Sequence, residues 1–165
     1  MKRIVFIFLV FILATGTTFS QSSFGLAGVA GTKAGIDDAG MGELGFGIHA
    51  RSLTELSEDF GLIGGFTYYL PTTITAAGVD SKWNYMTFNA DLAFNFLNEE
   101  ALRFYGFGGA NYTSLSLTVG SASATSQWKF GWEAGAGVII SGHFFLEGKY
   151  ESFMKQIVGT VGFYF

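Results

Sequence analysis

Three features of this chain predict an all-β protein, an eight-stranded antiparallel up-and-down transmembrane β-barrel. Long segments alternate apolar and polar residues with period two, the mark of strands with one apolar face. Charged residues are only 13% while aromatics reach 18%, with 19 Phe. An ordinary soluble domain carries about 25% charge, so this chain is short of residues to coat a wetted exterior. Beyond Ala14 no apolar run approaches the ~20 residues of a spanning helix. Other classes fall away on composition. With no Cys there is no disulfide scaffold, Cys-ligated zinc, thiol nucleophile or N-terminal lipid attachment at Cys. A net charge of −4 and a pI near 5.0 oppose nucleic-acid binding, which needs a basic stripe.

The elements follow in order. Residues 1–20 read as a secretory signal peptide: Lys2 and Arg3 form a positive start, Ile4 to Ala14 an uncharged apolar run, and Thr18 and Ser20 small residues ahead of cleavage before Gln21. Residues 21–165 form the barrel domain. Its strands are expected near 24–31, 42–50, 60–70, 82–97, 102–117, 128–140, 143–151 and 156–165. The first is mostly Gly and Ala. The fourth is the clearest: Asn84, Met86, Phe88, Ala90, Leu92, Phe94 and Phe96 share one face, and Tyr85, Thr87, Asn89, Asp91, Ala93 and Asn95 the other. The fifth has two competing phases, and Arg103, Asn111 and Thr113 favour its even residues outside. The sixth repeats the pattern from Trp128 to Ile140. Such strands exceed the usual ~5–6 residues and meet the ~9–11 needed to cross a bilayer at a tilt. Segments 32–41, 71–81, 118–127 and 152–155 carry Gly, Pro, Ser, Thr and Asp and read as loops; 98–101 and 141–142 are tight turns, and 51–59 is a longer connection. An exported N-terminus then puts the short turns on the periplasmic side, the polarity of an outer-membrane barrel.

In hydrocarbon every backbone donor and acceptor needs a partner within the protein, so a sheet must close. Eight strands give a barrel whose interior side chains just fill. The inward set includes Asp91, Asn95, Glu133, Glu147, Lys149 and Glu151. If Ile140 faces Phe144 across Ser141-Gly142-His143, Glu133 stands opposite Glu151 and Gly135 opposite Lys149. Lys149 then lies between Glu133, Glu151 and Glu147 and centres a lumen ion network. Arg103 joins it by reaching Asn95 or Asp91. Aromatic residues at strand ends, among them Tyr68, Trp83, Phe96, Trp128 and Phe144, fit the lipid–water interface.

With these residues in view, the chain resembles the small outer-membrane β-barrels of the OmpA/OmpX type over about residues 22–165. The resemblance rests on Gly131-Trp132-Glu133-Ala134-Gly135-Ala136-Gly137-Val138, on Phe144-Phe145-Leu146-Glu147-Gly148-Lys149-Tyr150, and on the last strand ending in Phe165. It implies an assembly signal at Phe165 and Phe163, with Val161 continuing the stripe, read by the barrel-assembly machinery. Val158 and Thr160 stand where that signal usually has a polar residue and a Gly. The resemblance also implies the outer membrane of a Gram-negative-type bacterium as location, outer-membrane lipid as surroundings and no cofactor. Members of such families serve envelope integrity, adhesion, binding of surface partners and, in some cases, lipid modification.

Sites of chemistry are sparse. His49 and His143 fall near periplasmic strand ends, and neither has a second His at metal-ligand spacing. The barrel-form lipid A deacylases resemble a His-x-Ser arrangement, which this chain lacks. Gly45-Phe46-Gly47 and Gly106-Phe107-Gly108-Gly109 precede no helical pattern, so they do not form a phosphate loop. Asn111-Tyr112-Thr113 fits a glycosylation sequon but lies within a predicted strand. The expected function is a non-enzymatic, monomeric outer-membrane barrel with a filled lumen, contributing to envelope structure or surface interaction. After it come a narrow porin-like pore for ions or small solutes, a lipid-modifying barrel enzyme, and a secreted lipocalin-like binder.

Overall fold

The computed structural model describes residues 22–32, 44–76, 79–119 and 122–165; the predicted signal peptide lies outside them. The strands are β1 (Ser22–Gly31), β2 (Gly45–Glu55), β3 (Phe60–Tyr69), β4 (Thr72–Ala76), β5 (Val79–Asn98), β6 (Leu102–Val119), β7 (Ala122–Ile140), β8 (Phe144–Glu151) and β9 (Gln156–Tyr164). All neighbours run antiparallel. β1 pairs with both β2 and β9, and β5 pairs with β3, so the sheet closes on itself. β3 and β4 both pair with β5 and form one interrupted stave, which makes the barrel eight-stranded. The interruption falls at Pro71. Tyr68 faces Met86 and Thr72 faces Trp83, so three residues, Tyr69 to Pro71, oppose two on β5. Proline lacks the N–H a ladder uses and settles at such bulges.

Residues with large exposure alternate with buried ones along each strand. Even residues point outward on β1, β2, β5, β6, β7 and β8, and odd ones on β9. The outer face is apolar: Phe130 is 74% exposed and Phe96 67%, while inside Asp91 and Glu133 are each 1% exposed. This is the reverse of a soluble domain and matches a body surrounded by lipid. Phe66, Phe88, Tyr112 and Phe130 stand directly opposite one another across four strands and form a row of rings on that face.

Three boundaries differ from expectation. β2 runs on to Glu55, where a connection over 51–59 was expected, because Arg51 and Leu53 continue its inward set. The expected loops 71–81 and 118–127 are largely strand: β4 pairs with the start of β5, and β6 and β7 stay paired beyond Leu117. Thr72, Thr73, Ile74 and Thr75 are β-branched and suit a strand, and each pair extends a ladder already begun lower in the barrel. The expected register of the β7–β8 hairpin is the observed one. Ile140 faces Phe144 and Glu133 faces Glu151, with Ser141 and Gly142 at φ 53° and 71° in the turn.

β5, β6 and β7 have 20, 18 and 19 residues, whereas β8 and β9 have 8 and 9. Crossing takes about 9–11. The long strands therefore rise as a sheet beyond the end of the barrel opposite the short turns at 99–101 and 141–143. Along that rise β7 pairs with β6 only, since β8 begins to pair with it at Glu133.

Candidate functional site

Buried polar and charged side chains collect in the lumen. Its end near the short turns is closed by an apolar cluster of Leu53, Ile63, Tyr105, Phe107, Ile139, Phe145 and Tyr164. The other end is closed by Val29, Tyr69, Tyr85, Leu115, Met154 and Val158. Met154 comes from the turn between β8 and β9, which leans onto β7: Ser152 Oγ accepts from the Trp132 amide at 2.8 Å, and the Ser152 amide donates to the Trp132 carbonyl at 3.0 Å. Gly131 makes room for this, since a Cβ there would lie 3.0 Å from Ser152 Oγ.

Between the two clusters lies a polar layer. Lys149 Nζ is 3.0 Å from Glu133 Oε1 and 3.1 Å from Glu151 Oε1. Asn111 Nδ2 donates to Glu133 Oε2 at 3.0 Å, and Gln156 Nε2 to Glu151 Oε2 at 2.6 Å. Asn89 Nδ2 donates to Asp91 Oδ2 at 2.6 Å. Thr87 and Thr113 share a hydrogen bond of 3.0 Å across β5 and β6. Inward glycines are the beds on which these side chains lie. A Cβ on Gly109 would be 2.6 Å from Asp91 Oδ1, and one on Gly135 would be 2.7 Å from Lys149 Cβ.

The structure brings Glu133, Glu151 and Lys149 together and redistributes the rest. Glu147 does not meet Lys149. It pairs with Arg51 and accepts from the Tyr105 hydroxyl. The Arg51 guanidinium lies 4.7 Å over the Phe145 ring and 5.4 Å from that of Tyr164, a stacking that suits its flat, weakly hydrated cation. Arg103 reaches neither Asn95 nor Asp91. It binds Glu55 at 2.7 Å and Asn98 Oδ1 at 2.9 Å at the short-turn end, on the far side of the apolar cluster. A cavity of about 190 Å³ opens there, lined by Glu55, Glu99, Glu100, Arg103 and Tyr164 among others. His49, expected near a strand end, lies buried within β2 with Nδ1 2.8 Å from Thr67 Oγ1. Asn111 of the sequon points into the lumen and is 2% exposed. Val161, Phe163 and Phe165 face outward along the outer stripe of β9.

Sequence reasoning missed Arg51. Its signal was present, because Gly47, His49, Arg51 and Leu53 continue one alternating face; ending the strand at residue 50 removed it from view. Among the described residues no three His, Asp or Glu side chains are grouped as metal ligands.

A closed sheet with an apolar exterior, a filled polar lumen and strands long enough to span lipid defines a class: the integral β-barrel membrane proteins. The chain belongs to the outer membrane protein beta-barrel domain family, whose model matches residues 6–157, and its place is the outer membrane. Solved structures share the fold. Ail, the attachment invasion locus protein of Yersinia pestis, is 22% identical over 87% of this chain and 97% of its own, with a TM-score of 0.58. Neisserial surface protein A is 16% identical over 88% and 97%, with a TM-score of 0.60. OprG of Pseudomonas aeruginosa is 13% identical over 89% and 97%, with a TM-score of 0.58. No curated protein sequence matches the chain significantly.

Proposed function

We propose that this protein is a non-enzymatic outer-membrane barrel that works through its surface and its rigidity, not through its lumen. It contributes to envelope structure and presents its raised β4–β7 sheet to surface partners. The observation that carries this reading is the closure of the lumen at both ends by buried apolar clusters, with an ion-paired layer between them. Conduction requires a continuous wetted path, and the Tyr69–Tyr85 stack, with ring centroids 3.9 Å apart, stands across one end.

The raised sheet supports the second half of the proposal. Its β7 edge offers backbone donors and acceptors to an incoming strand. Ail, a barrel of the same fold, has been crystallised with a heparin analogue, sucrose octasulfate, so this shape serves elsewhere as a binding body. Planar-bilayer recording with purified folded protein tests the reading. The expected trace is silent; reproducible single-channel steps would overturn it in favour of a narrow pore.

A further inference from the structure

The charges of the lumen do not balance. Four acids, Asp91, Glu133, Glu147 and Glu151, face two cations, Arg51 and Lys149, and each of the six is 7% exposed or less. Arg51 takes Glu147. Lys149 takes Glu133 and Glu151. Asp91 is left with one amide donor, Asn89, on Oδ2, and its Oδ1 has no partner. The remaining basic side chain of the layer, His49 on β2, is engaged with Thr67, and the lumen face of β3 from Gly61 to Tyr69 carries no charge.

Position supplies what the pairing lacks. Asp91 on β5 and Glu133 on β7 stand directly opposite Gly109 on β6, from its two sides. Gly109 has no side chain to separate them, and Asp91 Oδ1 lies over it. Two buried carboxylates that face one residue without a side chain from its two sides cannot both stay ionised without a compensating charge. We infer that Asp91 and Glu133 hold one proton between them, an acid–carboxylate hydrogen bond built across Gly109. The proton on Asp91 Oδ1 is donated to Glu133, whose oxygens already accept from Lys149 and Asn111 and keep a free lone pair each.

A metal ion in that place fits less well. A hard cation wants about six or more converging oxygens. The unpartnered oxygens of Asn89 and Asn111 lie instead over Gly65 and Gly131, away from Gly109. A water molecule would satisfy Asp91 Oδ1 but would leave the excess negative charge in place.

Infrared spectroscopy of the purified, folded barrel at neutral pH tests the inference. The expected result is a protonated-carboxyl C=O stretch that shifts when aspartate is carboxyl-labelled with ¹³C, and that is lost in Asp91→Asn. Of the aspartates whose burial is described, Asp59 is exposed and Asp91 buried, so the labelled native protein tests the inference even if the variant does not fold. Asp91→Asn is expected to unfold at or above the native temperature, since its amide donates where the proton did. Absence of the band in the folded native protein would overturn the inference and give the orphan oxygen to a water or an ion. A band that persists unchanged in Asp91→Asn would overturn it equally.

Discussion

Lys149 shows what a single charge does inside a barrel. It stands between Glu133 and Glu151, which face each other across the β7–β8 ladder. Removing it leaves two buried carboxylates without their cation, and breaking a buried pair costs about 3–5 kcal/mol. Lys149→Ala is therefore expected to lower the temperature at which the protein loses its folded mobility on unheated SDS gels. A triple variant, Lys149→Met with Glu133→Gln and Glu151→Gln, should recover part of that loss, because it also removes the buried negative charge. Glycines divide the same way by what lies over them. At Gly135 a Cβ would lie 2.7 Å from both Lys149 Cβ and Phe107 Cζ, so Gly135→Ala should destabilise by about 1–3 kcal/mol through overpacking. At Gly148, which faces lipid, a Cβ meets nothing within 4 Å. Gly148→Ala should be neutral or stabilise by about 0.5–1 kcal/mol, as alanine is favoured over glycine within a strand. Thermal unfolding of the two variants side by side checks the contrast, and equal effects would contradict the assignment of inner and outer faces.

At the scale of elements, the β8–β9 turn is more than a connection. Ser152 ties it to β7, and Met154, 4% exposed, enters the apolar cluster at the raised end. Met154→Ala should cost about 2–5 kcal/mol, as other buried large-to-small changes do. An unchanged unfolding temperature would show that the turn does not close the lumen. This role was not legible in the sequence, where 152–155 reads only as a loop: a methionine in a four-residue turn carries no periodic signal. What was legible is whatever repeats along a strand. The alternation from Asn84 to Phe96 separates lumen from lipid, and the Ser141-Gly142-His143 turn fixes Glu133 opposite Glu151. Contacts between distant strands were harder. Arg51 meets Glu147 across 96 residues of sequence, and the closure of β1 on β9 is marked by no local pattern. Arg103 binds Glu55, which lies on β2 beyond the expected end of that strand at residue 50.

The whole molecule joins two bodies with different requirements. The closed barrel is held by ladders that return from β9 to β1, pairing Gly25 with Tyr164 through Gly31 with Val158. Within lipid these hydrogen bonds have no solvent alternative, so the ring should open only on heating. Unheated and boiled samples in SDS are expected to migrate differently. The raised sheet lies outside that ring. Its β6–β7 part pairs Ser116 with Ser126 and Leu117 with Thr125, above the rows that close the barrel. Replacing Leu117 to Thr125 by a two-residue Asn-Gly turn, which suits a hairpin, should leave the heat-dependent mobility intact. If the raised sheet is the working surface, the same deletion should abolish any binding of cells that carry the protein to a surface partner. Loss of the mobility shift would instead make the raised strands part of what holds the barrel closed. Retained shift with retained binding would move the working surface to the rest of that same end of the barrel, where the β8–β9 turn meets β7.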